Sequence, residues 1–424
     1  MKLNVKRIGE FLLNYALYII LLLILTTVSI IRPDFLKIDN ILNILKQAST
    51  KGILALGCAG LIVLAGTDLS IGRVLGLSAA VTASLVQKVS YNSRYYQGMT
   101  EQLPLIVPLL GAIAIGVAFG AINGFGVSKL HLHAFIITLG TQLIAFGANC
   151  LYIEAQPSGT AQALSTFDRD FLNASAGNLI RVGELFLLGF AVLMIIGVPL
   201  FWTGISLLKN REDKRKLRKI TFLASMAAVV ALAVLLAVWF MTNASNLPPL
   251  ETTEYGSVIT QIWMTQTGTK IPKVVMYFLG LSIIMWVVWN KTRLGKNMFA
   301  VGGNTEAASV SGVNVARTIM LVYLVAGALY GIAAFLEAGR ITSVGANTGI
   351  NYELDAISAC VIGGVSFTGG VGTIQGVVIG SIILQAINFS LYFLQVNPYM
   401  QYIIRGLIII LAVAIDVRKY LMKK

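Results

Sequence analysis

The sequence predicts an all-α polytopic membrane protein of about twelve transmembrane helices, with the N-terminus and C-terminus both cytoplasmic. Three observations carry that prediction. The 424 residues are 57% hydrophobic and only 12% charged, far too apolar for a soluble domain of this length. Apolar runs of about 20 residues recur along the chain, each long enough to cross a bilayer. They are continuous rather than alternating, which excludes a transmembrane β-barrel. Much of the net charge of +14 falls in short loops between the runs, the positive-inside pattern. The lipid bilayer, and no nucleic acid, is therefore the expected surroundings, since no basic patch is interleaved with aromatics.

Taken in order, Lys2, Lys6 and Arg7 precede an apolar run over 11–31. That run is too long for a signal-peptide core and lacks a small-x-small cleavage site, so it reads as an uncleaved first span. Further spans are expected at 47–66, 70–89, 104–127 and 134–153, then at 184–208 and 221–242. The last five fall at 272–290, 318–337, 352–368, 371–393 and 399–416. With the N-terminus inside, the even-numbered connections are also inside. They include the most basic stretch, 209–219, and the segment 291–317. The C-terminus, with Arg418, Lys419, Lys423 and Lys424, is on the same side. The opposite connections are longer and carry Glu101, Asp168, Asp170, Glu251 and Glu254. These outer loops, among them 90–103 with the paired Tyr95 and Tyr96, read either as landing sites for a soluble partner or as ordinary connections.

Cys58, Cys150 and Cys360 all lie in apolar runs and serve as small packing residues. With His131 and His133 as the only histidines, no metal-ligand spacing exists, and neither metal nor cofactor is expected. Walker A, Gly-x-Ser-x-Gly and His-Glu-x-x-His patterns are all missing. The chain is therefore expected to be a transport subunit that hydrolyses no ATP itself, and not an enzyme.

The segment 291–317 opens with Lys291, Arg293 and Lys296, and Arg317 closes it. Gly302-Gly303 reads as a turn and Asn304 as a helix N-cap. Glu306 sits in the first turn, where negative charge suits the helix dipole. Ala307, Ala308 and Ser309 continue the helix, Ser311 follows, and Gly312 ends it in the C′ position. A helix of about two turns with so bare a surface cannot fold alone. It is either a rigid peg pushed into a cleft on a partner or a capped connecting loop.

Gly66-Thr67-Asp68-Leu69-Ser70-Ile71-Gly72-Arg73 interrupts an otherwise continuous apolar run. A charge inside a membrane helix costs about 2.5–3.5 kcal/mol even on the lenient insertion scale. Asp68 and Arg73 must pair, face water or lie near the interface. The break is a cavity or gate element, or an interfacial turn with a local ion pair. Tyr352, Glu353 and Asp355 open the span 352–368, where the acids either cap the helix or sit at the outer mouth of a pathway. Glu337, with Arg340 close by, fits both. Asn123, Thr138, Thr141, Asn149 and Asn388 are polar positions suited to interhelical hydrogen bonds. A weak internal repeat relates 61–79 to 360–380: apolar run, Gly/Ser/Thr break, small-residue helix.

Thr292-Arg293-Leu294-Gly295-Lys296, Ala300-Val301-Gly302-Gly303-Asn304, Ala307-Ala308 and Ser311-Gly312-Val313 resemble the coupling segment of the sugar-type ABC permeases, the ribose/galactose/xylose group. Outside residues 157–270 most of the chain resembles that family. Ala55-Leu56-Gly57, Gly66-Thr67-Asp68-Leu69-Ser70 and Phe135-Ile136-Ile137-Thr138-Leu139-Gly140-Thr141 carry the likeness, as do Leu336-Glu337-Ala338-Gly339-Arg340, Tyr352-Glu353-Leu354-Asp355 and Gly369-Gly370-Val371-Gly372-Thr373. Thr67 and Arg73 look like its galactose/methyl-galactoside branch. The resemblance implies a core of about ten spans, to which 183–245 adds an inserted transmembrane hairpin. It implies a homodimer of two copies and an ATP-binding partner of one chain with two ATP-binding modules, gripping Gly303, Asn304, Glu306, Ala307, Ala308, Ser311 and Gly312. It also implies an extracytoplasmic sugar-binding protein. The pathway or gate would use Thr67, Asp68, Ser70, Arg73, Asn149, Glu337, Tyr352, Glu353 and Asp355. An ion-coupled secondary transporter would also show repeats and broken helices, but it leaves the peg unexplained.

Overall fold

The computed structural model describes residues 25–157, 161–182 and 269–421. Compactness divides the chain into one unit of residues 1–177 and 272–424 and a second of 178–271. Of the second, the strands Asn178–Val182 (β1) and Thr269–Pro272 (β2) are described, hydrogen-bonded as a two-stranded sheet. The spans expected at 184–208 and 221–242, with the basic loop 209–219, lie outside the described residues. So does the first span, apart from helical residues 25–31.

The first unit is a helical bundle. Its helices are α1 (Ile38–Val63), α2 (Ile71–Leu85), α3 (Ile106–Ser128), α4 (Ala134–Glu154), the short α5 (Arg169–Ser175) and α6 (Lys273–Lys291). Then come α7 (Arg293–Gly303), α8 (Thr305–Val310), α9 (Val315–Ile341), α10 (Tyr352–Ile362), α11 (Ile374–Phe393) and α12 (Pro398–Leu421). Among the described residues five helices are long and apolar enough to cross a membrane: α3, α4, α6, α9 and α11.

Two expected spans are shorter than the sequence suggests. The expected 352–368 ends as α10 at Ile362, because Gly363 and Gly364 turn the chain, Gly364 with φ +81°. Eleven residues give a helix of about 16 Å. The expected 70–89 ends as α2 at Leu85, fifteen residues and about 22 Å. Neither alone reaches across the roughly 30 Å of hydrocarbon. They are half-helices.

α1 is the axis. Every residue from Gly52 to Val63 is buried, so the helix is enclosed on all sides. Lys51–Asp355, Ala55–Cys360 and Val63–Gly370 contacts climb in the same order on both chains, so α10 runs parallel to α1. The Val63–Gly370 contact joins the two arms of the weak repeat at their breaks. α9 lies antiparallel to α3 through Ala112, Gly116 and Gly120 on one side and Gly331, Gly327 and Tyr323 on the other. A Cβ added at Gly116 or Gly327 would collide with the facing helix's carbonyl oxygen. Such small-residue seams let backbones approach where lipid supplies no hydrophobic drive between helices. The outward faces of α4 and α6 stay apolar, with Ile136, Leu143, Ile144, Ile283 and Ile284 exposed, as a lipid-facing surface should be.

Candidate functional site

Two places in the bundle gather the residues that the sequence singles out. The first is the end where α1, α7 and the α10–α11 turn meet. Gly370 donates its N–H to the Val63 carbonyl at 2.8 Å. Gly302 packs so closely on Val63 and Gly370 that a side chain there would not fit. This corrects the expected Gly302-Gly303 turn: both glycines end α7, and the turn falls at Asn304, whose backbone is extended.

Asn304 caps α8 as expected, its Oδ1 accepting from Ala307 N–H at 2.9 Å. Glu306 lies in the first turn. Gly312, at φ +84°, closes the helix. Its N–H donates to Ser309 O and that of Val313 to Ala308 O, both at 3.0 Å, a Schellman closure. Gly303, Asn304, Glu306, Ala307, Ser311 and Gly312 are all exposed. Ala308 alone of the expected contact residues is buried, and it anchors the turn inward. Sequence reasoning passed over Val310, which stands 90% exposed at the end of α8. Its exposure, which only the fold reveals, is what marks it.

The second place is the bundle interior beside the α1–α2 break. Asp68, 1% exposed, accepts at Oδ1 from Ser70 N–H at 2.8 Å and from Ser70 Oγ at 2.6 Å. Asn123 Nδ2 donates to Ser70 Oγ at 3.1 Å, and Thr141 Oγ1 donates to Asn123 Oδ1 at 2.8 Å. One polar chain thus ties the break to α3 and α4. The sequence allowed an Asp68–Arg73 pair, but no ion pair joins them among the described residues. Arg73 instead lies over the Phe146 ring, 4.2 Å from its centroid. Thr67 is half-buried in the break itself.

The acids of α9 and α10 do more than cap. Glu337 is wholly buried, and Arg340 grips both its oxygens at 2.6 and 2.7 Å. Tyr352 Oη donates to Glu337 Oε1 at 2.6 Å. Asp355 meets Lys51 from the middle of α1, and the Lys51 ammonium lies 4.8 Å from the Tyr352 ring centroid. Lys51 went unflagged because it sits in the polar lead-in of an otherwise apolar run. Its partner is 304 residues away. Glu353, 7% exposed, keeps Oε2 without a partner, as do buried Arg73 Nη1 and Asn149 Oδ1.

Of the expected interhelical bonds, Asn123 and Thr141 make one with each other, whereas Asn149 Nδ2 donates to Ala346 O, in the non-helical stretch after α9, at 3.1 Å. Thr138 bonds only within α4, its hydroxyl donating to the carbonyls of Ala134 and Phe135 one turn back. Both Asn388 amide atoms are buried without a partner. Tyr95 stacks on Tyr152 with centroids 4.8 Å apart and pins the 88–103 loop onto α4. Among the described residues no cluster of metal-ligating side chains occurs.

Long apolar helices, charges held inside the bundle and a bare helix at one end define a multi-pass permease of the inner membrane, a transport subunit. The chain belongs to the family described as branched-chain amino acid transport system / permease component, whose model matches residues 40–413. It is 38% identical over 419 residues to the galactose/methyl galactoside import permease protein MglC of Haemophilus influenzae, covering 98% of this chain and 97% of that protein. To the protein of the same name from Escherichia coli K12 it is 39% identical, covering 100% and 99%. The ribose import permease protein RbsC of Escherichia coli K12 is 29% identical, over 95% of this chain and 92% of its own length. No solved structure matches the chain. Permeases of ABC importers work with ATP-binding and substrate-binding partners.

Proposed function

We propose that the chain is the membrane permease of an ATP-driven importer of galactose and methyl galactosides. The observation that carries the reading is α8: a capped helix of six residues with five of them exposed, ending in an open Val310. Six residues contribute almost no core, and so short a helix needs a partner to justify its rigid caps. An ATPase, one chain with two ATP-binding modules, grips the segment 291–317 there, through Gly303, Asn304, Glu306, Ala307, Ser311 and Gly312, with Ala308 as the anchor beneath. The names of the relatives support galactoside over ribose as cargo.

Two copies form the membrane part, with about twelve spans each and both termini cytoplasmic. Lys129, Lys291, Arg293, Lys296 and Arg317 belong to the bundle end that carries α8, which supports placing that end inside. A sugar-binding protein delivers cargo to the opposite end. Movement of α7 and α8 reaches the interior directly, because Gly302 leans on Val63 at the end of α1. From there α1 carries it to Lys51 and the α10 acids. Asp68, Ser70, Arg73, Asn149, Glu337, Tyr352, Glu353 and Asp355, with Thr67 in the break, line or gate the pathway.

The test is uptake of labelled galactose against labelled ribose by cells expressing the chain with its partners. Galactose uptake should vanish on ATP depletion and survive an uncoupler. Uptake that survives ATP depletion but collapses with an uncoupler contradicts the reading in favour of ion coupling.

A further inference from the structure

Residues 342–351, between α9 and α10, form neither helix nor strand, and they carry the chain back into the bundle. They start about 40 Å along α9 from the end that bears α8, given its 27 residues. One side of this strap faces out, with Thr342, Ser343, Asn347 and Ile350 exposed. The other lies on α2. Gly72 packs against the Gly349 carbonyl and Gly76 against that of Thr348, each too close for a side chain.

The strap folds on itself, Gly345 N–H donating to Thr348 Oγ1 and Thr348 N–H to Gly345 O, both at 3.0 Å, but few bonds tie it to the rest of the bundle. Among the described residues, Val344 and Leu164 exchange N–H···O bonds of 2.8 Å as an isolated antiparallel bridge, and Asn149 donates to Ala346 O. Its backbone is also costly. Thr342 and Asn351 take left-handed conformations at φ +57° and +63°, and for a β-branched threonine this is a strained state.

Near the strap lie three of the buried polar atoms that the closed bundle leaves unsatisfied. Glu353 Oε2 rests against Gly72. The Asn149 amide lies by Gly76, one helical turn on, about 6 Å along α2, its Nδ2 bonded to Ala346 O and its Oδ1 buried without a partner. Arg73 Nη1, from the residue between, is likewise buried and unpartnered. Buried polar groups without partners are costly, roughly 1–3 kcal/mol each. Two acceptors and a donor around one stretch of α2 suit a neutral solute rich in hydroxyls, which both donates and accepts. A bare cation is disfavoured by Arg73 and a bare anion by Glu353.

We propose that residues 342–351 are a hinged gate over a transit site for a neutral polyhydroxylated solute, formed by Arg73, Asn149 and Glu353. This rests on the importer reading. The strap lifts away from α2, the solute's hydroxyls satisfy the three groups, and reclosure shuts the route behind it.

The test joins Leu164→Cys to Val344→Cys, facing residues of a hydrogen-bonded bridge, where Cα atoms lie about 5.5 Å apart and within disulfide range. Membrane vesicles holding the chain, its ATPase and its binding protein are oxidised with copper phenanthroline and supplied with labelled galactose. In a background with Cys58, Cys150 and Cys360 replaced by Ala, uptake should fall at least tenfold on cross-linking and return with dithiothreitol, while chains with only one of the two introduced cysteines respond to neither. A second measurement needs no cross-link. Val344→Cys alone, buried at rest, should react several-fold faster with an impermeant maleimide during turnover than without ATP. Undiminished uptake by the cross-linked form overturns the gate, as does a Val344→Cys reactivity unchanged by turnover. Failure of the disulfide to form contradicts the strap's position. A parent chain that carries no galactose contradicts the importer reading itself, and the gate falls with it.

Discussion

Lys51 Nζ lies 2.5 Å from Asp355 Oδ2, joining the central helix to the first turn of a half-helix 304 residues away. Both side chains are largely enclosed. Removing one partner strands the other's charge, which typically costs about 3–5 kcal/mol. Lys51→Met should therefore destabilise the purified permease more than Lys51→Met with Asp355→Leu, read as thermal unfolding in detergent. Equal losses would mean the pair is not held as described.

Asp68 and Arg73, five positions apart, have separate partners: Ser70 for the first and the Phe146 face for the second. Independent sites add to within about 0.5 kcal/mol. Asp68→Asn and Arg73→Gln, alone and together, should be additive in denaturant unfolding. A coupling above about 1 kcal/mol would show a direct interaction that the geometry lacks.

The α3–α9 seam tolerates no bulk. Gly116→Leu should abolish stable insertion, because its side chain meets the Gly327 backbone, whereas Gly140→Leu, with nothing near it, should insert normally. Membrane-fraction yield on a blot reads both. Comparable yields for the two would contradict the close approach.

Neighbouring alanines of α8 should separate. Ala308 is buried and Ala307 exposed. Ala307→Arg should leave thermal stability unchanged but lose co-purification of the ATPase. Ala308→Arg should also lower stability, by roughly 1–3 kcal/mol, from overpacking. A matching stability loss in both would place Ala307 inside.

The α8 turn was largely legible because its signals are local. Asn304 and Gly312 act within their own turn, so residue type and spacing suffice. The glycines of α7 misled for the opposite reason. Gly302 is glycine not to turn but to let Val63 approach, and only the fold reveals that neighbour. The half-helices were hidden likewise. An apolar run over 352–368 reads as one span until Gly363 meets Gly376 and the chain turns back. Charge partners were the least legible. Glu337–Arg340, three apart on one helix, was suggested by spacing, while Lys51–Asp355 depends on two helices running parallel through the core.

The most direct test of the central claim, that α8 receives force from a separate ATPase, is ATP-dependent galactose uptake by inner-membrane vesicles carrying the chain with its ATPase and binding protein. Parent and Val310→Asp chains are compared at equal membrane content. The parent should accumulate galactose only with ATP, and the variant should lose at least nine-tenths of that uptake. Undiminished uptake by the variant would contradict the account.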